Sequence, residues 1–304
     1  MLYRLRRSLA YWRFDRAIAG ILATPPLALR PAPWTIVSMV AAKHVPMYLL
    51  SLKAFYARIG AGQVVAIVAR DAPEDGKAIL RRHVPGIELV TLEDIDTGAC
   101  QRGGTWERLV YCLTRAEREF VVQLDADAFA CGPDLDEVRA CLESGRPFVL
   151  ADGQPLLPVA EAAARARAMH DPYVGTRVER VLDRLPGAAG LRYVRASSAL
   201  AGYARGGFPR AAIEAFHRDG ERLLGAEAWR EWGTEQCASN FAVANMPDPL
   251  ALPVPAYTNH VPGRSGEGTK LFHFLGSHRF DDGLFARLGQ REIARLAGAT
   301  RLAA

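Results

Sequence analysis

Short apolar, β-branched runs alternate with helical segments through the first half of the chain. This alternation restricts the fold more than any other feature. WTIVSMV (34–40), QVVAIVA (63–69), GIELVTL (86–92), FVVQL (120–124) and PFVLA (147–151) have the length and residue types of buried strands. Between them lie PMYLLSLKAFYARIG (46–60), PEDGKAILRRHV (73–84), TWERLVYCLTRA (105–116) and DLDEVRACLES (134–144), which read as helices. Pro46 opens and Gly60 closes the first of these, in keeping with the chemistry of helix ends. The last is expected to be capped near Asp134. Strands and helices in alternation mean βαβ units around a mostly parallel sheet, an α/β fold. In such sheets, ligands bind beyond the carboxyl ends of the strands. The second half is less regular. Helices are expected within 159–185, 209–224 and 233–246, and a strand-like stretch with turns over 191–206. A Pro/Gly-rich rim loop is expected over 248–268, then a last short strand in TKLFHFLG (269–276) and a C-terminal helix.

The fourth run ends in QLDADAFACG (123–132). Residues i and i+2 of an extended segment point to one side, so Asp125 and Asp127 can face one point. Two carboxylates that close repel unless a proton or a cation lies between them. A divalent Mn²⁺ or Mg²⁺ ion is the chemical match, with open positions for substrate phosphates. On spacing alone, a turn beginning at Asp127 with Asp125 bonded to loop amides accounts for the pair as well. Asp152 follows the fifth run and belongs to the same end of the sheet. His273 stands in the apolar LFHFLGSHRF, ahead of Gly276 and Arg279. A histidine in such a run is commonly a core residue. Arg108 lies on the helix that feeds the fourth strand. Glu235 and Gln236 open a helix in WGTEQCASN, where Thr234 or Glu235 also suits capping.

Half of the 304 residues are apolar and 23% are charged, which excludes a disordered chain and allows a sizeable core. Residues 33–304 read as one domain, with a regular first half (33–153) and a variable second half (154–304). Residues 1–32 form a basic arm. It holds six arginines (Arg4, Arg6, Arg7, Arg13, Arg16, Arg30) against Asp15, while the rest of the chain is balanced in charge. Leu2, Leu5, Leu9 and Trp12 recur at helical spacing between those arginines. Such a helix lies either on an anionic membrane surface or against its own domain. The first reading would make the protein peripheral on the inner face of the membrane. No run approaches the roughly 20 apolar residues of a spanning helix. Five cysteines without a CxxC pair point to reduced thiols and a cytoplasmic setting, not to a zinc site or a disulfide framework. No aromatic-plus-basic groove motif suggests nucleic acid.

Taken together, these motifs resemble those of a GT-A fold nucleotide-diphospho-sugar transferase, closest to the family-8 glycosyltransferases of the glycogenin and lipopolysaccharide galactosyl- and glucosyltransferase type. The resemblance spans about residues 34–280 and implies a Rossmann-like GT-A fold, with 33–153 as its nucleotide-sugar-binding half and 154–304 as its acceptor-binding half. In that family a D-x-D at the end of a central strand binds Mn²⁺ and the donor diphosphate, and DADAFACGPDLDEV resembles this segment. HFLGSHR resembles the family's H-F-x-G-x-x-K motif through His273, Phe274 and Gly276, with Arg279 in place of lysine. The resemblance implies His273 as third metal ligand, Gly276 as a backbone contact and Arg279 as a phosphate-binding cation. It implies a donor contact for Arg108, and Ser197-Ser198-Ala199 stands where the family has Asn-Ser/Ala-Gly near the reacting sugar. Glu235-Gln236 resembles the family's Asp-Gln pair, and Asp152 stands where the family often has an acid near the sugars. The nucleotide loop departs most from the family pattern: AAKHVPMY carries Lys43 and His44 in place of acidic and amide residues.

The implied activity is metal-dependent transfer of a hexose from a nucleotide diphosphate sugar, UDP-linked, to a saccharide or glycolipid acceptor, with retention. An inverting enzyme would need a carboxylate base, for which Glu235 is the candidate. Two rivals stay open. A sugar nucleotidyltransferase would need a Gly-rich phosphate loop after the first strand, which VAAKHVPMY lacks. A non-catalytic protein of the same fold would have no use for an intact metal triad.

Overall fold

The computed structural model describes residues 2–263, 266–276 and 278–301; side chains 2–6 and 299–301 are not among the described ones. Leu2, Arg4, Leu5 and Arg6 of the basic arm, Arg264 and Ser265 of the rim segment and Ser277 of HFLGSHR therefore lie outside the described side chains.

The chain opens with α1 (Leu2–Ile18), followed by β1 (Trp34–Met39), α2 (Val45–Ile59), β2 (Gln63–Val68), α3 (Glu74–His83) and β3 (Glu88–Thr91). Next come α4 (Trp106–Ala116), β4 (Phe120–Leu124), β5 (Ala128–Ala130), α5 (Asp136–Ser144) and β6 (Phe148–Leu150). The second half holds β7 (Leu156–Pro158), α6 (Val159–Arg167), α7 (Val174–Glu179), β8 (Arg192–Val194), β9 (Ser197–Tyr203), α8 (Arg210–Leu224), α9 (Ala226–Trp229) and α10 (Thr234–Ala244). It closes with β10 (Leu250–Ala251), β11 (Tyr257–Asn259), β12 (Leu271–His273) and α11 (Leu284–Arg301). The expected strands and helices of the first half all form, each within a residue or two of its sequence bounds. Helix α2 ends at Gly60 in the left-handed conformation (φ 82°), where a side chain would be strained.

The central sheet has seven strands in the order β10-β6-β9-β4-β1-β2-β3. Its pairs are parallel except those of β9, which runs antiparallel to both β4 and β6. A second sheet, β11-β12-β5, stands beside it. Two short strands, one in each sheet, correct the sequence reading. The 248–268 segment is not wholly loop: β10 extends the central sheet against Phe148 and Val149, and β11 pairs with β12. Strands of two or three residues between prolines carry no periodicity from which to read them. β5 follows the two aspartates directly and pairs antiparallel with β12, placing His273 opposite Ala128.

The apolar core is contiguous from Phe14 to Phe285. α1 belongs to it: Phe14 lies 4.8 Å from Phe280 and 4.6 Å from Phe285, ring centre to ring centre. Phe285 in turn stacks on Phe274 at 4.2 Å and touches Phe129 of β5. The buried face of the arm is thus Phe14, Ile18 and Ile21, whereas Leu9 and Trp12 stay exposed. Among the described residues no helix is long and apolar enough to cross a membrane.

Candidate active site

β4 is buried throughout and delivers Asp125 and Asp127 at its carboxyl end, on the rim of the sheet. The β5–β12 ladder then brings in His273 from far along the chain. Its register is locked by the Phe274 amide, which donates to the Asp127 carbonyl at 3.0 Å. As a result, ligand atoms of Asp125, Asp127 and His273 all lie within 4.8 Å of one another. Two carboxylate oxygens and an imidazole nitrogen are a donor set suited to Mn²⁺ or Mg²⁺.

The imidazole is oriented from behind. His273 Nδ1 lies 2.8 Å from Asn259 Oδ1 and 3.0 Å from Ser197 Oγ. An amide oxygen can only accept, so Nδ1 carries a hydrogen, and Nε2 is left on the side of the aspartates, 3.8 Å from Asp127 Oδ1. Asn259 is itself oriented, because its Nδ2 donates to Asp152 Oδ2 at 3.3 Å. Asp152 also accepts from Thr258 Oγ1 and sits in the left-handed region at φ 48°.

Two arginines hold the aspartates. Arg108 donates to Asp125, and Arg279 Nη2 donates to Asp127. Arg108 Nη2 reaches Glu235 Oε1 at 3.2 Å as well. Glu235 is fully engaged: its Oε2 accepts from Thr105 Oγ1 at 3.0 Å and from Ser198 Oγ at 3.2 Å. Burial pushes the Asp125 carboxyl above its usual range; Arg108 opposes this and Asp127 adds to it. Burial likewise raises Glu235, against the pull of Arg108. Burial disfavours the Arg108 charge, yet Asp125 and Glu235 together hold it above its ordinary value. Thr105, a β-branched residue at φ 75°, is strained where it meets Glu235.

Asp125, Asp127, His273, Arg108, Arg279, Glu235, Gln236, Ser197 and Gly276 line one cavity of about 570 Å³. Nine of the twelve residues picked from the sequence are thereby brought together. Asp152 lines an adjoining cavity of about 390 Å³, which shares Tyr173, Ser197, Gln236 and Leu275 with the first. Lys43 and His44 line neither. They sit in a 3-10 turn after β1 (Ala42–His44), where the His44 ring lies 6.0 Å from Tyr11. Burial, with Arg279 and Lys43 nearby, lowers His44 to about 4. No side chain caps α10: Thr234 Oγ1 donates to the Trp229 carbonyl at 3.0 Å, and Glu235 turns inward to Arg108. Sequence reasoning passed over Arg7, Thr105, Tyr173, Trp232 and Asn259. Trp232 stands three residues before Glu235 and is 72% exposed at the cavity wall, an unusual place for a tryptophan in a globular chain.

The mixed sheet with its one reversed strand is that of the GT-A fold, and the aspartate pair and the histidine stand at the carboxyl end of its central strand. Among solved structures, the chain is similar to the bifunctional glycosyltransferase WbbM, at 14% identity and a TM-score of 0.50, over 88% of this chain and 51% of that one. It is also similar to mouse xyloside xylosyltransferase 1 (12% identity, TM-score 0.47, 81% and 98% covered). The galactosyltransferase LgtC, in complex with donor and acceptor sugar analogues, matches at 12% identity with a TM-score of 0.42, covering 87% and 95%. No protein-family model and no curated protein matches the chain.

Proposed function

We propose that the protein transfers a hexose from a nucleotide diphosphate sugar, UDP-linked, to a saccharide or glycolipid acceptor, in a metal-dependent reaction that retains the anomeric configuration. The observation that carries this reading is the convergence of Asp125, Asp127 and His273 at the carboxyl end of β4, within a GT-A fold. These three residues would hold Mn²⁺ or Mg²⁺, which when bound supplies Lewis-acid stabilisation of the leaving nucleotide diphosphate. Arg279, which pairs with Asp127, would turn its guanidinium to the phosphates, bidentately. Arg108 donates to Asp125 and opposes the effect of burial on that carboxyl. Glu235 makes its hydrogen bonds to Arg108, Thr105 and Ser198 and is poorly placed to take a proton from an acceptor, which favours retention. Gln236 lines both cavities and would lie beneath the reacting carbon, with Ser197 beside the donor sugar. The adjoining cavity, with Asp152 at its wall, would take the acceptor. Lys43 and His44 would meet the base, and residues 33–153 and 154–304 would be the donor and acceptor halves. The exposed Leu9 and Trp12 beside Arg13 and Arg16 fit an acceptor presented at an anionic membrane surface.

A panel of nucleotide sugars, scored by thermal shift with Mn²⁺ and with chelator, tests the class and the donor together. One donor should stabilise the fold with metal and not without it. Asp127→Asn should remove that shift and cut donor hydrolysis by about a hundredfold or more. Full hydrolysis in this variant would refute the metal assignment.

A further inference from the structure

We propose that Arg7, carried on α1 ahead of the first strand, binds the donor's diphosphate, so that the N-terminal helix is a working wall of the site. This rests on the reading of the cavity as a sugar-nucleotide site. Three observations support it.

First, α1 is tied to the domain at two points. Tyr11 Oη donates to the carbonyl of Lys43 in the turn after β1, and its ring meets Phe280 edge-on at 5.7 Å. Phe14 sits between Phe280 and Phe285, so the helix is held by buried aromatic packing. Second, Arg7 is four residues before Tyr11 and so shares its helix face. Arg7 Nη2 donates to the Gly276 carbonyl at 3.3 Å, and Arg7 lines the same cavity as Asp127 and Arg279. Third, the charges differ in how they are met. Arg108 and Arg279 are each held by carboxylates. Among the described residues no carboxylate lies within ion-pair distance of Arg7. One carbonyl uses one of the five N–H groups that a guanidinium offers, and the rest suit a multiply charged anion. A diphosphate held between the aspartates and Arg279 would present one at that wall.

The test is calorimetric titration of the full chain with Mn²⁺ present, using UDP, GDP and inorganic diphosphate as probes. Arg7→Gln should weaken all three by a similar factor, roughly five- to twentyfold, because the contact is to phosphate and not to base. Binding of Mn²⁺ alone should not change, and Arg7→Lys should recover part of the loss. Unchanged affinity for all three probes in Arg7→Gln would reduce Arg7 to a tie on Gly276 and overturn the proposal. An equal loss of Mn²⁺ affinity would overturn it too, since the change would then act on the shape of the cavity. If the parent protein binds none of the probes, the sugar-nucleotide reading falls and the role of Arg7 falls with it. A parent that binds them and an Arg7→Gln that binds them equally well would leave that reading standing.

Discussion

Arg108 is the residue on which the electrostatics of the site turn. It is buried, and it answers two carboxylates, Asp125 and Glu235, whose charged forms burial disfavours. Removing one partner of such a group leaves the others buried without a counter-charge. Arg108→Gln is expected to cost about 2–4 kcal/mol in urea denaturation, less than a fully buried pair because Asp125 reaches solvent. Added Mn²⁺ should return more stability to this variant than to the parent, since the ion supplies the missing positive charge. Equal stabilisation of both proteins would contradict the shared role. A second residue-scale prediction concerns His83, whose Nδ1 lies 3.1 Å from the buried Lys53 Nζ. Burial, then Lys53 and Arg82, lower its pKa to about 4 from the ordinary 6.5. The unfolded chain therefore binds the proton first as pH falls. The stability tied to neutral His83 is complete above pH 6.5 and is lost as pH drops through 4. The loss should be on the order of 1–3 kcal/mol. His83→Gln should flatten that part of the stability–pH curve relative to the parent, and parallel curves would refute the assignment.

At the scale of elements, β9 decides whether the sheet can carry the site at all. It is buried at every position and lies between β4 and β6. Its small residues make room for large neighbours. A Cβ on Gly202 would stand 2.4 Å from the Phe148 ring and 2.9 Å from that of Phe120. Gly202→Ala should cost about 1–3 kcal/mol through overpacking, read from the denaturation midpoint. An unchanged midpoint would mean that the two rings move aside freely. The same strand shows why some of the fold is legible in sequence and some is not. The parallel strands β1, β2 and β4 advertise themselves as branched apolar runs, because both their faces are covered. SSALAGY is equally buried, but its glycine, serines and alanines fit a turn as well as a strand. β5 and β11 are too short for any period to be read. The site divides along the same line. Asp125 and Asp127 stand out because charge at the end of an apolar run is costly without a partner. His273 alone in an apolar run looks like core, and the β5–β12 pairing that makes it a neighbour of Asp127 has no local signature. Arg7 and Trp232 look like ordinary solvated residues until the fold sets them on a cavity wall.

For the whole molecule, the governing fact is that one core joins the first helix to the last. α1 reaches β5 through Phe14, Phe285 and Phe129. The order in which the chain is synthesised therefore differs from the order in which it can be completed. α1 leaves the ribosome before the surface that receives it, α11 with Phe280 and Phe285, has been made. His273 arrives late as well. Once β9 has been made, β4 has both its neighbours and can hold its aspartates at the sheet's edge before His273 follows. A nascent chain thus carries the aspartate pair alone, and the three-residue group is complete only when β12 pairs with β5.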